Sequence, residues 1–167
     1  MCCQNAIQRT TVKVANLRGK AAGIEKDIVA KFKRGDVELA KICVENLINI
    51  KKDMFVLQSL QVYIMNLDTS VGVIMMEKDP PHNLETCIGT ILSCRNKVDV
   101  DELSSICQML DSKYKGKISM LQNSGDAHII ERLSPSVPSN IDVENTLKQV
   151  LNAHGINYGP SLLLLSF

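Results

Sequence analysis

The stretch from Asp36 to about Lys78 constrains the fold more than any other part of the chain. No Pro interrupts it, and Gly72 is its only Gly. Ala40, Cys43, Leu47, Ile50, Met54, Leu57, Ile64 and Val71 recur at helical spacing, and Val44, Ile48, Leu60, Tyr63, Leu67 and Ile74 widen the stripe. A straight helix of this extent would be about 60 Å long at ~1.5 Å per residue. That exceeds an ordinary globular helix and predicts an extended hairpin or coiled-coil geometry. The register slips at Gln61 and Asp68, where a bend is expected. Asp79-Pro80-Pro81 ends the helix, because proline has no N–H to donate and restricts the residue before it.

The preceding segment supplies the second arm. Val14, Leu17, Ala21, Ile24, Ile28 and Phe32 define one helical face. Gly19 and Gly23 either admit a partner helix or simply loosen this arm by about 1 kcal/mol each relative to Ala. Arg34-Gly35-Asp36 reads as a turn in which Gly ends one helix and Asp caps the next. A turn this short makes the two helices antiparallel neighbours, in a hairpin over about residues 6–78.

Downstream the elements shorten. Asn83 is placed to cap a helix over about residues 84–95, and a further helix is expected over about 100–122. The latter's apolar face is Leu103, Ile106, Cys107, Leu110, Tyr114, Ile118 and Leu121, with Gly116 a mild cost inside it. A loop over 123–140 follows, with a turn of helix at Ala127 to Glu131. Ser139-x-x-Asp142 resembles a capping box with Asp in place of Glu, opening a last helix over about 141–154 with Val143, Leu147, Val150 and Leu151 inward. The expectation is one all-α domain over residues 1–167. Sparse glycine and proline suit packed helices better than a sandwich or barrel.

Cysteine usage points to a reducing compartment. None of Cys2, Cys3, Cys43, Cys87, Cys94 and Cys107 forms a C-x-x-C pair, and the three histidines lie far from them, so no zinc site is expected. Cys43 and Cys107 fall on apolar stripes and read as buried free thiols. Cys2 and Cys3 read either as acylation sites or as reactive thiols in a disordered start. No apolar run reaches the roughly 18–20 residues of a membrane span, and no secretory signal opens the chain. The run Leu162 to Leu165 reads as a docked or frayed tail.

Charge is unevenly placed. Residues 1–34 hold eight Lys or Arg against two acids, net +6, which leaves −5 for the remainder of a chain of net charge +1. Lys13, Lys20 and Lys31 share one angular sector of a helix. Lys13, Arg18, Lys20, Lys26, Lys31 and Lys33 are the candidate contacts to an anionic membrane or to a filament. The bland alternative is a solvated face with local ion pairs. Nucleic acid is disfavoured, since no aromatics interleave with the cations.

No catalytic pattern is present. His82 and His128 fall in loops, and His154 fits a helix C-terminus, where its charged form is favoured. No P-loop, G-x-S-x-G or H-E-x-x-H occurs. Asp99, Asp101 and Glu102 read as carboxylates offsetting a helix dipole. The expectation is a non-enzyme with no cofactor and no metal.

Several local motifs share an order with a known family. Ala40 to Ile48 (AKICVENLI) looks like an A-R-x-R-V-E-x-I-I stretch, and Leu84 to Ile91 (LETCIGTI) resembles the family's third helix. Asp101-Glu102-Leu103 with Leu110 and Lys113-Tyr114 resembles an E-L…L…K-Y helix. Glu131-Arg132-Leu133-Ser134, Pro138, Val143 and Ile156-Asn157-Tyr158 look like an R-L-S…P…V…V-x-Y ending. Together they resemble the amino-terminal domain of the increased-sodium-tolerance family, relatives of the ESCRT-III subunits that regulate the vacuolar-sorting AAA ATPase.

The resemblance implies an ESCRT-III-like helical bundle: a long antiparallel two-helix hairpin, two shorter helices and a C-terminal helix packed back on the hairpin. It implies an adaptor that binds the carboxy-terminal helix of charged multivesicular body (ESCRT-III) subunits. Such an adaptor regulates filament assembly, and indirectly the ATPase, in multivesicular body sorting, membrane scission or cytokinesis. Its place would be the cytoplasm, with recruitment to endosomal or other membranes. A cytosolic coiled-coil scaffold without a membrane role is the alternative. Lys41 and Cys43 stand where the family has arginines, and Lys cannot reproduce a bidentate arginine fork. Family members usually continue into a linker with ATPase-docking motifs, so a chain ending at Phe167 is expected to be either a piece or a short member without direct ATPase recruitment.

Overall fold

The computed structural model describes residues 2–158, and their regular structure is entirely helical. The order is α1 (Cys2–Lys33), α2 (Val37–Thr69), α3 (Val71–Met76), a 3-10 turn (His82–Leu84), α4 (Glu85–Ser93), α5 (Glu102–Lys113), α6 (Ile118–Asn123), α7 (Ala127–Ile130), a 3-10 turn (Glu131–Leu133) and α8 (Asn140–Ala153). Met1 and the run Leu162 to Leu165 lie outside the described residues.

The turn after α1 is built from backbone hydrogen bonds. Gly35 takes φ 87°, Asp36 N–H donates to the Lys31 carbonyl at 3.0 Å, and Gly35 N–H donates to that of Phe32 at 3.0 Å. This Schellman pattern satisfies carbonyls that a helix end leaves open. The Asp36 carbonyl accepts from Ala40 N–H and starts α2, while its carboxylate lies 3.6 Å from Arg34 Nε.

Several expectations about individual elements need correction. The second arm does not run unbroken to residue 78: α2 ends at Thr69 and α3 restarts at Val71. Thr69 Oγ1 donates to the Asn66 carbonyl at 3.0 Å and Ser70 N–H donates to that of Leu67 at 3.1 Å, so one hydroxyl and one tightened backbone bond mark the stop. Gln61 marks no break; its amide donates to the Ile7 carbonyl at 3.2 Å and to Thr11 Oγ1 at 2.6 Å. The helix expected over 100–122 is two: α5 ends at Lys113, and Gly116 at φ 85° lies in the turn before α6, where Lys117 N–H donates to the Tyr114 carbonyl at 2.9 Å. Asn83 does not cap α4 but lies within the 3-10 turn that leads into it.

The chain divides into two compact units. The first comprises Met1–Ala15 and Asp53–Pro135. Its centre is α4, buried at every position from Cys87 to Leu92, as a helix apolar on all sides must be. Gly89 lies against α6 so closely that a Cβ there would overlap the Leu121 carbonyl. Buried Thr90 donates to the Thr86 carbonyl at 2.7 Å and accepts from Asp126 N–H at 2.8 Å. Asp126 caps α7 through His128 N–H at 2.9 Å and accepts the Tyr63 hydroxyl at 2.8 Å. Burial and that carboxylate push the Tyr63 hydroxyl up to about 12.

The second unit comprises Asn16–Lys52 and Ser136–Phe167. Its core joins Ala21 and Ile28 of α1, Ala40, Val44 and Leu47 of α2, and Val143, Leu147, Val150 and Leu151 of α8. The last helix therefore packs on both arms of the hairpin through the four residues expected to face inward. Ser139 Oγ accepts Asp142 N–H at 3.1 Å and caps α8. Cys107 is buried as expected, whereas Cys43 is half-buried at the edge of this core.

Candidate interaction surface

Within the second unit, α1 presents five cations: Arg18, Lys20, Lys26, Lys31 and Lys33. Four are exposed and Lys31 is half-buried. None makes an ion pair among the described residues. At 3.6 residues per turn, Arg18, Lys26 and Lys33 share one flank of the helix, and Lys20 and Lys31 share the other. Between the flanks, on the solvent side, lie exposed Gly19, Gly23, Asp27 and Ala30. A Cβ at either glycine would meet nothing within 4 Å, so among the described residues no helix packs against these glycines.

The sixth candidate is placed differently. Lys13 belongs to the first unit, where its Nζ lies 3.0 Å from Asp99 Oδ2. One turn earlier, Arg9 Nε donates to both carboxylate oxygens of Glu102, at 2.9 and 2.8 Å, and its guanidinium lies 3.8 Å from Asp101. The hydrogen bond from Arg9 holds the Glu102 carboxyl below its ordinary range. The acids at the start of α5 thus pair with the beginning of α1. The opposite signs of the two clusters were readable in the sequence; their meeting, across more than eighty residues, was not.

Lys41 heads a polar cluster in the second unit. Its Nζ lies 2.8 Å from Glu144 Oε1, and Tyr158 donates its hydroxyl to Glu144 Oε2 at 2.9 Å. The Tyr158 ring meets Phe32 edge-on at 5.4 Å. The Lys41 hydrogen bond keeps Glu144 ionised to lower pH and raises Lys41 in turn. A single ammonium suffices here because one carboxylate oxygen is left to tyrosine. Leu39 and Ile42, one turn apart on α2, remain exposed, as does Ile141 on α8.

Chemically reactive groups do not converge. His82 and His128 each face a glutamate three residues on, His154 bonds the Val150 carbonyl, and burial raises the Cys87 and Cys94 thiols to about 12. Among the described residues no three His, Cys, Asp or Glu side chains group as a metal site would require. No described helix is long and apolar enough to cross a membrane.

A family model described as "Ist1: Regulator of Vps4 activity in the MVB pathway" matches residues 1–157. The chain belongs to the Ist1 family. That family is one of regulators of Vps4 activity in the multivesicular body pathway. The fold agrees: the Saccharomyces cerevisiae Ist1 N-terminal domain, solved in complex with a Did2 MIM motif, superposes with a TM-score of 0.81 at 21% identity, over 95% of this chain and 91% of that one. The architecture is therefore the ESCRT-III-like bundle of an Ist1 N-terminal domain. No curated protein matches the sequence.

Proposed function

We propose that this Ist1-family chain is an ESCRT-III-associated adaptor that regulates filament assembly and Vps4 activity through binding alone, without covalent chemistry. The observation that carries the reading is the family match across residues 1–157. Its partner is the carboxy-terminal helix of a charged multivesicular body subunit; the yeast relative was solved in complex with a Did2 MIM motif. An amphipathic helix binds by laying its apolar face against apolar side chains. The exposed Leu39, Ile42 and Ile141 supply such side chains in the second unit.

The five free cations add a contact to an anionic membrane surface or a neighbouring filament subunit, worth about 1 kcal/mol per cation near anionic lipid. Lys13 contributes least, because Asp99 already neutralises it. The protein works in the cytoplasm and is recruited to endosomal membranes.

Two measurements test this. Pull-down with carboxy-terminal helices of ESCRT-III subunits is expected to retain the chain, and failure with all of them removes the adaptor reading. Co-sedimentation with phosphatidylserine vesicles at low salt is expected to be lost when Arg18, Lys20, Lys26, Lys31 and Lys33 are replaced by Glu. Undiminished sedimentation of that variant removes the membrane contact.

A further inference from the structure

One hydroxyl residue in this chain is followed by proline. Pro80 follows Asp79, Pro81 follows Pro80, Pro138 follows Val137 and Pro160 follows Gly159; Pro135 follows Ser134. Ser134 comes directly after the 3-10 turn Glu131–Leu133 and is exposed, as are Pro135, Ser136 and Val137 after it. Its backbone sits at φ −86°, ψ 137°, the extended state that a following proline favours. Protein kinases bind their acceptor segments extended. The proline-directed class accepts a residue without an N–H directly after the acceptor. Ser134 offers both features in the folded chain.

Its surroundings include a group that would read a phosphate. Two residues back, the Arg132 guanidinium covers the Phe55 ring at 4.6 Å from its centroid. The same guanidinium donates to Glu131 Oε1 at 3.1 Å and to the His128 carbonyl. All of these residues belong to the first unit.

We propose that Ser134 is the acceptor of a proline-directed serine/threonine kinase, and that its phosphate draws Arg132 off the Phe55 ring. In the transfer, Ser134 Oγ bonds to the γ-phosphorus of ATP. The bond from that phosphorus to the oxygen bridging to the β-phosphate breaks, ADP leaves, and the hydroxyl proton passes to the kinase's base. The product carries a charge of roughly −1.5 to −2 and three acceptor oxygens. A guanidinium prefers such a group, which it can meet with two parallel hydrogen bonds, to the single contact that Glu131 provides. Glu131 is repelled at the same time. Phe55, already 41% exposed, loses its cover and adds to exposed Val62 and Met65, which follow it at helical spacing on α2. The modification thus turns a ring capped by a cation into part of an apolar strip.

The experiment uses the full chain, a proline-directed kinase of the cyclin-dependent class and Mg-ATP, with peptide mapping. One phosphate at Ser134 is expected, absent from Ser134→Ala and from Pro135→Ala, and retained in Ser136→Ala. No incorporation, incorporation that survives Pro135→Ala, or a phosphate mapped elsewhere overturns the site. The arginine contact is read by phosphorus NMR, as the second pKa of the phosphoserine. It is expected below that of an unpaired phosphoserine, near 6, and is expected to rise in Arg132→Gln. Equal values in the two proteins overturn the role given to Arg132.

Discussion

The two units differ in how far their cations are paired. In the first, Arg9, Lys13, Arg95 and Lys117 each meet a carboxylate: Glu102, Asp99, Asp111 and Asp79. In the second, five cations of the same helix α1 meet none among the described residues. One continuous helix therefore begins with cations paired within its own chain and continues with cations that meet no carboxylate among the described residues. A basic sequence run is not one object; what it faces after folding divides it.

Packing differs in the same way, and glycine substitution exposes the difference most strongly. Gly89→Ala in the first unit would drive a methyl group into the Leu121 carbonyl, and backbone cannot yield as a side-chain tip can. It is expected to cost about 2–3 kcal/mol, read as a lower urea midpoint at unchanged slope. Gly23→Ala in the second unit meets open space and is expected to stabilise by about 1 kcal/mol through helix propensity alone. Equal effects at the two positions would remove the contrast.

Acid is expected to weaken the first unit more. Glu102, Asp111, Asp126 and Asp79 there have carboxyls held low by Arg9, Arg95, Tyr63 and Lys117, against Glu144 alone in the second. A carboxyl lowered in the folded state contributes stability above its unfolded value that is lost as pH falls through the folded one. Ordinary values here are 3.8 for Asp and 4.5 for Glu, so the loss begins near pH 4.5 and grows below it. Amide exchange across a pH series is expected to show α4 and α5 losing protection before α8; the reverse order contradicts it.

The smallest effect is that of the Arg9–Glu102 pair. A double-mutant cycle with Arg9→Ala and Glu102→Ala is expected to give a small favourable coupling that shrinks with salt, since the arginine is exposed. A coupling indifferent to salt would mean the contact is packing rather than charge.

What could be read from the sequence was local or periodic. The Gly35 turn, the Ser139 cap and the inward set Val143, Leu147, Val150 and Leu151 each depend on neighbours within a few residues or on one helical period. What escaped depended on competition or distance. The slip read at Asp68 is a full stop at Thr69 in a helix whose apolar stripe continues, and Gly116, read as a cost inside a helix, lies in a turn between two. The pairing of Lys13 with Asp99 needed residues far apart in sequence to meet. The cationic candidates were legible as charges, while the freedom of five and the neutralisation of one were properties of the fold.

The thiols give the molecule an internal record of its own opening. Cys87, Cys94 and Cys107 are all buried in the first unit, and burial keeps each of them protonated and slow to react. Among the described residues of the second unit the one cysteine is Cys43, which is half-buried. The rate at which those three sulfurs are modified counts how often the packing around α4 comes apart, while half-buried Cys2, Cys3 and Cys43 react without such an event and set the zero of the clock.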